Sequence, residues 1–220
     1  MLFLLTGDVQ IGKTRWLGAL ADELLGAGVD VAGVVAPGVW RERSADEPDG
    51  QGGLSGRGRF EKLGIDNVLL PGGDHVPFAR RRDLALAAGE LDENSQAGRA
   101  KLGWAISDAA IARVDAHFAR ISEQLGAAGA SASPACTGLL VVDELGQLEL
   151  NRGEGLVHAV SLLDGGPSER FGCAIVVVRD WLEPRARERF APVWGEVRDI
   201  GPDDASKAAV LSALGLAASL

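Results

Sequence analysis

Eight residues near the start of the chain limit its fold more than any others. Gly7-Asp8-Val9-Gln10-Ile11-Gly12-Lys13-Thr14 matches the phosphate-binding loop pattern G-x-x-x-x-G-K-[ST]. The apolar run Leu2-Phe3-Leu4-Leu5-Thr6 before it reads as a short strand. Arg15 to Leu25 after it carries Leu17, Leu20 and Leu24 at helical spacing. Strand, glycine loop and helix N-terminus together make an anion cradle, with backbone N–H groups pointing inward and the helix dipole adding partial positive charge. Gly7 and Gly12 let the backbone approach the phosphates. In this pattern Lys13 reaches the β- and γ-phosphates and the Thr14 hydroxyl ligates Mg2+, while Asp8, Val9, Gln10, Ile11 and Arg15 complete the nucleotide-binding stretch. A flexible glycine turn that only opens a helix is the competing reading.

A second segment points to the same chemistry. Leu139-Leu140-Val141-Val142 reads as a buried parallel strand, and Asp143 and Glu144 follow at its carboxyl end. Ligands of open α/β sheets bind outside the carboxyl ends of the strands, so both acids should face the crevice that holds the glycine loop. An Asp at this place serves the magnesium site, usually through water. A Glu directly after it can orient and deprotonate an attacking water. The plainer alternatives are a strand-end turn aspartate and a surface or helix N-terminal glutamate.

The run Asp143-Glu144-Leu145-Gly146-Gln147-Leu148-Glu149-Leu150 resembles the D-E-[IL]-G-x-[ML]-E-L stretch of the small nucleoside-triphosphatases first recognised in thermophiles. Looser likenesses extend over most of the chain. The phosphate loop lies almost at the start, and a strand at Val29 to Val35 follows the first helix. An Arg-containing turn stands at Val39-Trp40-Arg41, an Arg/Gly-Phe strand at Gly58-Arg59-Phe60, and a helix over 108–125 precedes the Asp-Glu strand. The resemblance implies a three-layer P-loop NTPase fold and slow, magnesium-dependent hydrolysis of ATP, GTP and related triphosphates. A family arginine for transition-state charge corresponds to Arg41, Arg59 or neither. The chain departs from many members at Gln10, where they carry Gly, and at Arg15, where they carry a second Thr.

Strands and helices alternate, which predicts an α/β fold in one domain over residues 1–220, with a mainly parallel sheet and helices on both faces. The polar, glycine-rich stretch 38–59 reads as a loop or hairpin tip around 46–53, inside an irregular insertion at about 38–105. One or two strands are expected within 60–90, including Asn67 to Leu70, and another loop at 91–103. The helix at 108–125 carries the stripe Ile111, Val114, Phe118, Ile121 and Leu125, with Ser107 as its cap and His117 at the stripe's edge. Gly126 to Pro134 reads as a linker. Further elements are expected as a helix at 154–164, a strand at 174–178, a helix at 183–190, a short strand at Val197 to Ile200 and a helix from 203.

Composition excludes several classes. The formal charge is −9, from 31 acidic and 22 basic residues, which opposes a general nucleic-acid or anionic-membrane surface. No apolar run reaches the length of a membrane span, and no leader is expected, because the sequence shows no basic n-region followed by a cleavable apolar stretch. Cys136 and Cys173 form no C-x-x-C, and Cys173 sits in an apolar strand as a small core residue. A reducing cytoplasm is therefore expected. His75, His117 and His158 lack zinc spacing. The five tryptophans read as core or edge packing, and Arg80-Arg81-Arg82 as a solvated basic turn or a clamp for phosphate or an acidic partner. The leading expectation is hydrolysis of a nucleoside triphosphate. Two rivals are a kinase whose segment 38–105 binds a phosphoryl acceptor, and a non-catalytic nucleotide switch that presents Arg80 to Arg82 or the 41–59 loop to a partner. The sequence does not identify a protein partner.

Overall fold

The computed structural model describes residues 1–43, 59–127 and 138–216. The expected loop tip at 46–53, most of the linker at Gly126 to Pro134, and Cys136 lie outside them. The chain opens with β1 (Leu2–Leu5), α1 (Lys13–Gly26), β2 (Val31–Val35) and β3 (Gly38–Glu42). It continues with β4 (Phe60–Leu70), β5 (Asp74–Arg81), the short α2 (Arg82–Ala87) and α3 (Gln96–Arg99), β6 (Trp104–Ile106) and α4 (Asp108–Ala127). After β7 (Gly138–Val142) come a π-helical turn (Leu148–Arg152), α5 (Val157–Asp164), β8 (Phe171–Val177) and a single 3₁₀ turn (Asp180–Leu182). The described chain closes with α6 (Glu183–Trp194), β9 (Val197–Ile200) and α7 (Asp204–Ala213).

The nine strands of the described residues join one mixed, mostly parallel sheet in the order β6-β5-β4-β2-β7-β8-β1-β9, with β3 also paired to β4. β2, β7, β8, β1 and β9 run parallel. β4 then pairs antiparallel with β2, β3 and β5, and β5 pairs antiparallel with β6. The sheet is therefore a five-stranded parallel half joined to an antiparallel wing, and the segment expected as an irregular insertion is that wing. β2 and β3 lie in line along the same edge of β4, with Val35 opposite Val68, Gly38 opposite Ile65 and Trp40 opposite Lys62. The wing thus extends past the carboxyl ends of the parallel strands.

Parallel strands covered on both faces lose apolar-polar alternation, which explains the unbroken runs of β1, β7 and β8. Leu2 and Leu4 of β1 join one core with Val114 and Phe118 of α4, Leu163 of α5 and Phe190 of α6. Phe3 and Leu5 point the other way, into a second core with Leu17 and Leu24 of α1 and Val210 of α7. Cys173 is buried in that second core.

The expected α4 stripe is borne out: Ile111, Val114, Phe118 and Ile121 are buried, Leu125 is partly so, and Ser107 Oγ accepts the Ala110 amide at 3.1 Å. His117 is edge-packed, its Nε2 lying 3.1 Å from the Gly33 carbonyl and 3.0 Å from that of Leu70. Burial holds its pKa below the ordinary value. Two expectations need correction. Residues 38–42 are strand rather than loop, and 104–106 add a sixth strand beyond the expected loop at 91–103. β3 is mostly exposed and β6 has three residues, so neither leaves a periodic apolar signal. No helix among the described residues is long and apolar enough to cross a membrane.

Candidate functional site

The crevice is built by turns that leave adjacent strands at their carboxyl ends. The glycine loop follows β1, Arg179 and Asp180 follow β8, and Asp143 and Glu144 follow β7. A cavity of about 1550 Å³ runs past all three turns and continues along the wing. Gly7, Asp8, Val9, Gln10, Gly12, Lys13, Thr14 and Arg15 line it, as do Asp143 and Glu144. Ile11 does not; its side chain lies over Gly7, where an added Cβ would come within 2.7 Å of Ile11 Cδ1.

The loop has the backbone that its glycines permit. Gly7 and Gly12 take φ of 117° and 97°, values that L side chains rarely adopt. Gln10 also has positive φ, at 69°. Helix α1 begins at Lys13 with no side-chain cap, so its first N–H groups open toward the cavity. The Lys13 ammonium donates to the Gly7 carbonyl and, at 2.8 Å, to that of Asp8. Burial lowers its pKa, while Asp180, Glu144 and Asp143 push it back up.

Asp143 is the most constrained acid of the site, at 3% exposure. Its Oδ2 accepts the Ala36 amide at 2.9 Å. Its Oδ1 is buried without a hydrogen-bond partner among the described residues. Burial first, then the Glu144 carboxylate, raises its pKa to about 7; the Ala36 amide, the Thr14 hydroxyl and the Lys62 ammonium oppose the rise. A buried carboxylate oxygen left unpaired is costly. The donor set fits magnesium, which keeps most of its water and takes one or two protein ligands beside substrate phosphates. Among the described residues no three His, Cys, Asp or Glu side chains gather to cage a metal; Thr14, whose hydroxyl acts on the Asp143 carboxyl, and Asp143 are the residues that could hold one beside a bound phosphate.

Glu144 is exposed and takes φ of 63°, an uncommon backbone for a residue other than glycine. The turn is pinned on both sides, by the Asp143 amide to the Val34 carbonyl at 3.1 Å and the Leu145 amide to the Val177 carbonyl at 3.0 Å. Strain held by its surroundings is typical of functional turns. The other acid of the same run, Glu149, has a different task. It is buried and accepts the Gly146 amide at 2.9 Å and the Leu156 amide at 3.0 Å, closing the π-helical turn at the wall of the same cavity.

Two site groups carry no contiguous motif. Asp180 Oδ1 accepts the Thr6 hydroxyl and, at 2.6 Å, the Gly7 amide, and these contacts hold its carboxyl below the usual range. Lys62 of β4 enters the cavity from the wing. The rule of carboxyl strand ends points to Asp180, which follows the apolar run of β8; nothing local singles out Lys62. The expected arginines lie elsewhere. Arg41 pairs with Glu61 at 2.6 Å and Arg59 with Glu42. Arg80 pairs with Glu90, Arg81 with Glu61 and Asp83, and Arg82 with Glu93. None of the five lines the crevice, so Arg80 to Arg82 neither clamp phosphate there nor form a purely solvated turn. Trp104 and Trp194 are buried as expected, whereas Trp40 and Trp181 stand 46% and 60% exposed along the cavity.

Comparison with protein-family models, with curated proteins and with solved structures finds no match to this chain.

Proposed function

We propose that the chain is a P-loop nucleoside-triphosphatase of the cytoplasm, hydrolysing ATP, GTP or related triphosphates with magnesium. One observation carries this reading: the glycine loop and the Asp143-Glu144 turn open into a single cavity at the carboxyl edge of the parallel strands. The amides of Gly7 to Gly12 and the Lys13 ammonium hold the triphosphate. Thr14 directly and Asp143 through water would hold magnesium, which would supply positive charge against the triphosphate. Glu144 positions a water in line with the γ-phosphorus. The water oxygen bonds to that phosphorus as the bond to the β–γ bridging oxygen breaks. The bond's electron pair leaves with the diphosphate. Glu144 accepts the proton of the water and returns it to the phosphate released. Asp180 holds the amide of Gly7 and so sets the loop's entry.

A kinase is the second reading. The cavity continues from Glu144 to Trp40, Phe78 and Trp104, and it reaches Asn67, whose buried Oδ1 has no partner among the described residues. A phosphoryl acceptor would occupy that space. Phosphate release from a panel of triphosphates, with no acceptor added, separates the two. Steady turnover with magnesium is expected of the hydrolase; turnover confined to mixtures with an acceptor overturns it.

A further inference from the structure

Nearly every charged side chain of the wing that forms an ion pair does so with another wing residue or with α2 and the loop after it. Lys62 is different. No carboxylate lies within ion-pair distance of it among the described residues, and its ammonium stands 5.2 Å from the centroid of the Trp104 ring. The side chain is half-buried. The charges that act on it most strongly are Glu144, Asp143 and Arg179, all at the carboxyl edge of the parallel strands. Burial pulls its pKa down, and the two carboxylates push it back up.

Topology explains how it gets there. β7, which carries Asp143 and Glu144, stands two strands from β1 on one side and two strands from β4 on the other. Lys13 therefore approaches the acids from the β1 side and Lys62 from the β4 side. Lys62 lies opposite Trp40 of β3, beyond the level at which β2 and β7 end. It lines the same cavity as the glycine loop and Glu144. A cation preset in a half-desolvated site acts more strongly than one in water and needs no reorganisation when charge develops.

Resting on the hydrolase reading, we propose that Lys62 is a catalytic residue that stabilises the charge on the transferring γ-phosphoryl oxygens, a task that P-loop enzymes often give to an arginine. It acts as a fixed cation and exchanges no proton; the Trp104 ring, its centroid 5.2 Å from the ammonium, helps to hold it in place. Its contribution is greater in the transition state than in the ground state, so it should appear in kcat rather than in nucleotide affinity.

The test compares wild type with Lys62→Gln and Lys62→Arg, in parallel with Glu144→Gln. Acceptor-free phosphate release gives kcat. Calorimetry gives affinity for ATP and for ADP with aluminium fluoride, a planar anionic mimic of the transferring group. Lys62→Gln should lower kcat by roughly 10²- to 10³-fold, the size expected for loss of one preset donor. It should keep ATP affinity within about threefold and lose the extra affinity for the mimic. Lys62→Arg should recover much of both. If Lys62→Gln turns over and binds the mimic like wild type, or if both Lys62 variants lose ATP binding, the assignment is wrong. If wild type itself releases no phosphate without an acceptor, the hydrolase reading fails first.

Discussion

The parallel half and the antiparallel wing treat charge in opposite ways. In the wing, acids and bases neutralise one another. Glu61, with a side chain 11% exposed, bridges Arg41 and Arg81, and Arg81 also holds Asp83. Arg41 first, then Arg81, hold the Glu61 carboxyl below the usual range. At the carboxyl edge of the parallel half, Asp143 is buried with an unpaired oxygen and a raised pKa, and Glu144 stands on a strained turn. One region uses charge to hold strands together. The other keeps charge unspent at some cost to the fold, which is what a site awaiting a polyanion and a cation needs. The contrast can be broken at several points.

Removing the cation inside the cradle should have the largest effect. Lys13→Ala should weaken ATP and GTP binding by roughly 10²- to 10³-fold, about 3–4 kcal/mol, because a charge-assisted contact to phosphate is lost in a partly desolvated loop. Equal affinities of mutant and wild type in a calorimetric titration would reduce the loop to a structural turn.

Asp143→Asn should stabilise the metal-free protein at pH 8. The folded pKa of about 7 lies above the ordinary 3.8, so the folded state holds a proton that the unfolded chain has released across that interval. Stability then falls as pH rises from about 4 to 7, by up to a few kcal/mol. The neutral amide escapes that fall. Melting curves from pH 4 to 8 should slope downward for wild type and less so for the variant. Added magnesium should raise the wild-type Tm at pH 8 and leave the variant unmoved. Identical pH profiles would contradict the raised pKa.

Glu61→Gln should act in the opposite pH range. A carboxyl held below its ordinary pKa contributes stability that is present above that value and lost as pH falls through the folded one. The variant should lose about 3 kcal/mol at pH 7, because two arginines lose a shared, largely buried partner. Its difference from wild type should shrink on acidification. A constant difference across pH would show packing, not charge, to be the cause.

Much of the parallel half was legible in the sequence because its signals are contiguous. The glycine loop, its strand and its helix lie within 25 residues, and Asp143 and Glu144 end an unbroken apolar run. The α4 stripe and the strand Val197–Ile200 were readable for the same reason. The wing was not. β3 is exposed, and β6 is too short to show a period. Lys62 gains its meaning only when β4 is placed two strands from β7. Arg41, Arg59 and the Arg80 to Arg82 cluster looked available in sequence, because their acidic partners become neighbours only on folding. Glu149 could be read as part of the acidic run, but the backbone amides it receives are set by the π-helical turn.

The most direct test of the whole account is acceptor-free hydrolysis by Glu144→Gln against wild type, with ATP affinity measured on the same preparations. Glu144 follows β7 and lines the cavity into which the glycine loop opens, and its amide replacement keeps the shape but cannot take a proton. The wild-type protein should release phosphate from ATP and GTP with magnesium. Glu144→Gln should bind ATP as wild type does and turn over roughly 10²- to 10⁴-fold more slowly. Equal turnover by the two proteins, or wild-type turnover that appears only when a phosphoryl acceptor is supplied, would contradict it.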